Sequence, residues 1–265
     1  MLVHYKDLRY LVKLWPWVKN PWYVARHRRD RSGEFVVELR NGLRLYLRGA
    51  CQDFTIFDRI FLRDEYRLGG YEKELRGTVV DLGANVGIFA ARVGPYVGRM
   101  ICYEPMGSNF AQLERNLSGL GNVSLVRAAV GPTSGTARLH YPRNIRISGG
   151  YSQFPSARLH EGSMYEEVLQ VTLDEVFERH EIESCDLLKI DTEGAEYGIL
   201  YAASKETLRR VKRVIGEYHY VEQGGTETEV SKLKAYMEAR GFEVSVVPKR
   251  RLKNHGLFFC YARER

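Results

Sequence analysis

Thr78-Val79-Val80-Asp81-Leu82-Gly83-Ala84-Asn85-Val86-Gly87-Ile88-Phe89 decides how the chain is read. Val79 and Val80 form a short apolar run, as in a buried parallel strand, and the run ends at Asp81. Gly83 and Gly87 bracket a tight turn, and Ile88, Phe89, Ala90 and Ala91 begin a helix. Strand, glycine turn and helix make the first βα unit of a doubly wound nucleotide-binding sheet. Such a turn lets a ligand approach the backbone and offers it free N–H groups at a helix N-terminus.

The dinucleotide fingerprint requires a second glycine where this turn has Asn85. Asp-x-Gly-x-Asn-x-Gly suits a smaller, zwitterionic ligand: Asp81 would face an ammonium group, and the turn from Gly83 to Gly87 a carboxylate. S-adenosylmethionine carries both. A structural turn with a helix-capping Asn85 is the alternative. Outward from the turn, Met100-Ile101-Cys102-Tyr103 is a second apolar run and ends at Glu104-Pro105. Glu104 lies 23 residues after Asp81, close to the ~20 expected of an acid that binds ribose hydroxyls. Pro105 ends the strand. A third strand is predicted over Val123–Val130, and its Ala128-Ala129-Val130 edge is small and apolar enough to lie against an adenine ring.

These residues bring a family into view. Asp81-Leu82-Gly83-Ala84-Asn85-Val86-Gly87, Tyr103-Glu104-Pro105 and, above all, Asp186-Leu187-Leu188-Lys189-Ile190-Asp191-Thr192-Glu193-Gly194-Ala195-Glu196 resemble the FkbM-type S-adenosylmethionine-dependent methyltransferases. Leu173-Asp174-Glu175 and Phe61-Leu62-Arg63-Asp64-Glu65-Tyr66 fit as well, so the resemblance covers roughly residues 50 to 220. It implies a class I methyltransferase fold, S-adenosylmethionine as cofactor, and acceptors such as sugar hydroxyls of glycans or small secondary metabolites. It also implies that the 55–68 segment borders the cofactor pocket.

The chain has 265 residues, 44% of them hydrophobic, enough for one good core with a small addition. No apolar run approaches the ~20 residues of a membrane span, and charges interrupt the N-terminus as in no signal peptide. Cys51, Cys102, Cys185 and Cys260 form no C-x-x-C pair. Core cysteines and a cytoplasmic location are expected. Net charge is +7, and residues 1–31 supply +6 of it, with eight basic residues against two acidic ones. That leader also holds all three tryptophans, Trp15, Trp17 and Trp22. Leu8, Leu11, Leu14, Trp15 and Val18 recur at helical spacing, with Pro16 and Pro21 as breaks. A helix packed across the domain, an aromatic lid over an acceptor (an anionic glycan would suit it) and a peripheral membrane contact are the competing readings. Nucleic-acid binding would need a broader basic face.

The predicted architecture is α/β: a doubly wound, mostly parallel, seven-stranded Rossmann-like sheet over residues 76–265, preceded by a helix and hairpin extension over 1–75. Val37, Leu39, Leu43, Leu45 and Leu47 alternate around Asn41-Gly42, a type I′ turn signal. Residues 55–68 are expected as one amphipathic helix, with Ile56, Ile60 and Phe61 on a face. Ser108 is the expected N-cap of the next crossover helix. Residues 141–170, broken by Pro142, Gly149, Gly150, Pro155 and Gly162, are expected as an insertion loop near an acceptor pocket. Further strands end at Asp191 and near Glu217 and His219, and an antiparallel pair over 242–247 and 257–261 closes the sheet.

Ligands of open α/β sheets bind at the carboxyl ends of the strands, so Asp191 is expected to face the pocket of Asp81 and Glu104. Glu193 is a second candidate there, whereas Glu196 suits the first turn of a helix. His219 is the natural general base by its ordinary pKa. A divalent ion on Asp191, Glu217 and His219 is weighed and no metal is assigned. The expected activity is S-adenosylmethionine-dependent O-methylation. An RNA methyltransferase and a non-catalytic cofactor-binding protein are the alternatives.

Overall fold

The run that ends at Asp81 is the centre of the sheet. A computed structural model describes residues 5–30, 32–141, 164–219, 226–249 and 255–263. Ahead of the sheet come α1 (Tyr5–Leu14), α2 (Pro21–His27), β1 (Glu34–Glu38), β2 (Arg44–Arg48) and α3 (Asp53–Phe57). The sheet itself uses β3 (Thr78–Leu82), β4 (Arg99–Tyr103) and β5 (Val123–Val126). Between them lie α4 (Ile88–Val93) and α5 (Gly107–Leu117). A side sheet follows, made of β6 (Ala129–Val130), β7 (Gly135–Tyr141) and β8 (Met164–Val171). The chain then returns through α6 (Leu173–Arg179), β9 (Cys185–Ile190), α7 (Glu196–Ala202), α8 (Lys205–Arg209) and β10 (Arg213–Tyr218). It ends in α9 (Thr226–Glu238), β11 (Phe242–Pro248) and β12 (Gly256–Ala262).

The strand order is β11-β12-β10-β9-β3-β4-β5, seven strands as expected. β3 pairs in parallel with β4 on one side and β9 on the other, and β12 runs antiparallel to β10 and β11. Val79 and Val80 are fully buried, because helices cover both faces of a parallel sheet. The chain leaves β3 toward β4 and β5 and then crosses back to β9. That reversal opens a crevice at the strand ends beside β3.

Residues before 76 cover one face. Leu11, Leu14, Val18, Val24, Phe35, Leu45, Phe57 and Phe61 share a core with Val86, Phe89 and Leu113. The opposite face packs α6, α7 and α9 residues such as Phe177, Leu200 and Met237 against Val80, Leu188 and Val214. Within α1 the periodicity divides: Leu11 and Leu14 are buried, whereas Leu8 and Trp15 stand out in solvent.

Several local expectations are corrected. Asn41 does not adopt positive φ and Gly42 does, at +98°. Leu39 N–H donates to Leu43 O (2.8 Å) and Gly42 N–H to Leu39 O (3.1 Å), which is a three-residue loop with a glycine bulge in place of a type I′ turn. The 55–68 helix is shorter: α3 runs into a π-helical turn, Asp58–Leu62, and stops. Ser108 lies inside α5, whose N-cap position is Met106. The strand expected over 123–130 breaks after Val126, whose carbonyl accepts both Glu104 N–H and Ala128 N–H at 3.1 Å. Ala129 and Val130 then pair with β8 instead of β4. The 141–170 insertion is entered and left by strands, since β7 and β8 form an antiparallel hairpin; residues 142–163 lie outside the described residues. No disulfide links the described cysteines, and Cys102, Cys185 and Cys260 are buried.

Candidate active site

The crevice beside β3 is a cavity, and most of the expected residues meet there. Gly83, Ala84, Asn85, Glu104, Pro105, Ala129, Asp191 and Glu193 line it together. Asp81, Gly87 and His219 are not in its lining. They stand behind the wall, in contact with residues that line it: Asp81 with Lys189, Gly87 with Ala84 and His219 with Glu193.

Asp81 does meet an ammonium group, but the chain's own. β3 and β9 run in register with Asp81 opposite Lys189, and Lys189 Nζ lies 2.9 Å from Asp81 Oδ1, both side chains being buried. No other donor reaches Asp81 among the described residues. Burial pushes the Asp81 carboxyl up, and Lys189 opposes that shift. The same ammonium donates to Gly83 O at 2.7 Å, so the pair staples the glycine turn to β9. Gly83 has φ +76°, and a side chain there would run into the Asp191 carbonyl oxygen. Only glycine lets the two strand ends approach this closely.

The N–H groups of the turn, expected to meet a ligand carboxylate, are committed within the protein. Gly83 and Ala84 donate to Tyr103 O at 3.0 and 2.9 Å, Gly87 to Ala84 O at 2.9 Å, and Val86 to Asn85 Oδ1 at 2.8 Å. Asn85, at φ +52°, turns its N–H onto Glu104 Oε2 at 2.8 Å. It is not the cap of α4: Gly87 holds that position. Met106 N–H reaches Glu104 Oε1 at 3.0 Å and Asn109 Nδ2 reaches it at 3.5 Å. Burial pushes the Glu104 carboxyl up to about 7 against these hydrogen bonds. Ala128, Ala129, Val130 and Leu139 give the cavity an apolar wall next to Glu104. β6 is therefore on the site because the third strand breaks.

Across the turn from Glu104 the Lys-Ile-Asp-Thr-Glu-Gly-Ala-Glu block divides its tasks. Asp191 Oδ2 accepts the Tyr66 hydroxyl at 3.0 Å. Burial pushes the Asp191 carboxyl up, but Lys189, His219, Arg59 and the Tyr66 hydroxyl together hold it below the usual range. Glu193 sits at φ +53° ahead of Gly194 at +115°, a backbone kink that aims its side chain at the cavity and at His219. Such a conformation costs about 1–3 kcal/mol and needs support. Glu196 supplies it: its carboxylate accepts Thr192 N–H at 3.0 Å and Gly194 N–H at 3.0 and 3.1 Å, and it meets His219 Nδ1 at 2.9 Å.

His219 Nε2 faces Glu193 at 3.4 Å and Asp191 and Glu217 at 3.9 Å each. Burial alone would push the ring's pKa down. Glu196, Glu193 and Asp191 overcome it and hold the ring well above its ordinary value. Burial pushes Glu193 up to about 8, with His219 opposing. Asp191, Glu196 and His219 bring potential ligand atoms within 4.8 Å of one another. Both Glu196 oxygens are already taken by N–H donors, and Glu217, weighed as a ligand, is held by Arg59 Nη2 at 2.8 Å and by Lys249. The donor set is spent on protons and on the protein's own cations.

Arg59 and Lys249 carry no sequence signal. Arg59, from the π turn, joins Glu65 and Glu217, and Lys249 Nζ reaches Glu65 at 3.0 Å. A buried acid such as Glu217 at a strand end needs a cation, and only the sheet order shows which one arrives.

A family model described as the methyltransferase FkbM domain matches residues 81–244. AMB antimetabolite synthetase AmbE of Pseudomonas aeruginosa is 23% identical over 260 residues, 85% of this chain but 12% of that protein. Methyltransferase sdnD of Sordaria araneosa is 26% identical over 202 residues, 63% of this chain and 74% of that protein. The chain thus spans a small part of the first relative and about three quarters of the second. A solved FkbM methyltransferase from Methylobacillus flagellatus KT aligns with a TM-score of 0.46 at 12% identity, over 72% of this chain and 44% of that one. The family match runs from Asp81 in the glycine turn through the Lys189–Glu196 block to Val244 in β11; with more than half of its length so covered, the chain belongs to the FkbM methyltransferase family.

Proposed function

We propose that the protein is an S-adenosylmethionine-dependent O-methyltransferase whose acceptor is a hydroxyl of a sugar, a glycan or a small metabolite. One observation carries this reading: a single cavity runs from a buried carboxylate beside an apolar wall, across a glycine turn, to a proton-handling cluster. The residues suit the cofactor. Among the described residues the Glu104 carboxylate is held by neutral N–H donors of Asn85, Met106 and Asn109, which leaves it suited to accept hydroxyl hydrogens. Ala128, Ala129 and Val130 offer a flat apolar face to an adenine. Lys189 holds the Gly83 carbonyl and so fixes the turn beside Asp191.

When bound, S-adenosylmethionine supplies an electrophilic methyl group with its leaving group attached, so the protein's work is alignment and proton removal. An acceptor hydroxyl must lose its proton as its oxygen gains the methyl. With its pKa held well above the ordinary value by the surrounding carboxylates, the His219 ring is a poor acceptor for that proton. Asp191, ionised at neutral pH, can accept it, and Glu193 adds capacity as it ionises near pH 8. His219 then holds the two carboxylates together and offsets their charge.

Calorimetry with S-adenosylhomocysteine, followed by transfer of labelled methyl from S-adenosylmethionine to glycan and metabolite fractions, tests the reading. Binding that Glu104→Ala weakens, with label in an alkali-stable ether, supports it. Label on nitrogen or on RNA, or no cofactor binding by the folded protein, overturns it.

A further inference from the structure

The polypeptide ahead of the hairpin carries a surface unlike the rest. Nine large apolar side chains stand exposed among the described residues, and five of them fall within residues 8–23: Leu8, Val12, Trp15, Trp22 and Tyr23. Leu8 and Val12 on α1 and Trp15 just past its end, where Trp15 N–H still donates to Leu11 O, are four and three residues apart, so they form one stripe, 52, 70 and 60% exposed. The helix is anchored by another face, where Leu11 and Leu14 are buried. Arg9 and Lys13 occupy the flank beyond the stripe, and Lys19, Arg26 and Arg29 are exposed nearby in sequence. None of these five has a carboxylate partner among the described residues. Arg40 stands over the Trp15 ring at 5.5 Å and extends the basic rim. No described leader residue lines the cavity.

We infer that residues 8–29 form an interfacial surface that docks the protein reversibly on a bilayer with anionic headgroups. A helix that serves only to pack on the domain has no use for a second, solvent-facing apolar stripe. Tryptophan and tyrosine settle at the level of lipid headgroups, aliphatic side chains enter the acyl boundary, and lysine and arginine meet anionic phosphates. A nucleic acid would use the cations and the aromatic faces but not Leu8 and Val12. A second copy of this chain, meeting the same face about a twofold axis, would set these cations against their own kind. α1 has 10 residues and no described helix is long and apolar enough to cross a membrane, so the contact lies on the bilayer. The inference does not rest on the methyl-transfer reading.

All three tryptophans lie in the leader, and Trp15 and Trp22 stand exposed on this surface while Trp17 packs on Phe61, so changes in their emission report on the leader. The full chain is titrated with vesicles of phosphatidylcholine, with and without phosphatidylglycerol. Emission should shift to the blue and the protein should co-sediment with the anionic vesicles only, and added salt should release it. Val12→Asp with Trp15→Ser should lower the partition coefficient by more than about tenfold, two buried apolar side chains being lost. The melting temperature and S-adenosylhomocysteine affinity should stay at wild-type values. Lys13→Glu with Arg26→Glu should weaken binding to anionic vesicles in the same protein background. No blue shift at low salt, undiminished binding by the stripe variant, or a stripe-dependent dimer in sedimentation velocity would overturn the inference. So would binding to an oligonucleotide that the stripe variant loses equally.

Discussion

Glu104 and Asp191 stand on either side of the same glycine turn, each just past the end of a parallel strand, and the chain treats them in opposite ways. Glu104 is held by the backbone N–H groups of Asn85 and Met106, with burial pushing its carboxyl up to about 7. Asp191 is half-buried, and Lys189, His219, Arg59 and the Tyr66 hydroxyl outweigh its desolvation and hold its carboxyl below the usual range. The strand-end position brings a carboxylate to the cavity; its neighbours decide what that carboxylate does. Fixed dipoles leave Glu104 able to accept hydroxyl hydrogens, whereas cations make Asp191 a standing anion beside a proton store.

The comparison breaks first at Asp191. Asp191→Asn should lower turnover by about 10²–10⁴-fold, the range for a lost general base, with S-adenosylhomocysteine affinity nearly unchanged. Single-turnover label transfer beside calorimetry measures both; wild-type turnover would remove Asp191 from the chemistry. Next in size is the staple beneath the turn. Lys189→Met leaves Asp81 buried without its cation, and urea unfolding should show a loss of about 3–5 kcal/mol. A variant as stable as the wild type would mean that Asp81 is already neutral. Glu104→Ala should cost about 1.5–3 kcal/mol of S-adenosylhomocysteine affinity, and unchanged binding by the folded variant would take Glu104 out of the ribose site.

The smallest effects are in pH, and they separate the two sides. Glu104 accepts hydroxyl hydrogens best when ionised, so S-adenosylhomocysteine affinity should rise as pH passes through about 7, and Glu104→Ala should flatten that rise. Turnover at saturating cofactor should rise through about 8 instead, as Glu193 loses its proton. Glu193→Gln should abolish that second inflection and leave the first. One shared inflection in both profiles would mean that the carboxylates do not titrate separately.

Much of this is legible where neighbours in sequence do the work. The Gly83–Gly87 turn, the strand ends at Glu104 and Asp191 and the apolar Ala128–Val130 edge all lie where pattern and turn chemistry predict them, because backbone conformation responds to adjacent residues. The break after Val126 was not legible: a run of apolar residues cannot say which sheet its second half joins, and β8 supplies the partner only after the hairpin has formed. The three-residue hairpin loop escaped for a similar reason, since Val18 and Lys19 of the leader bind Leu39 and Glu38 at its base.

By itself, the sequence determined the strand and helix periodicity, the glycine turn and which acids end the strands. Only the tertiary structure decided what those acids are. Tyr66 reaches Asp191 across 125 residues, Arg59 reaches Glu217 across 158 and Lys189 reaches Gly83 across 106. His219, read as a neutral base, has its pKa raised by Glu196, Glu193 and Asp191, which α7 and the Glu193 kink place around it. A backbone angle is set by its bonded neighbours, but a proton answers to every charge within a few ångströms, and those charges arrive from wherever the chain has folded.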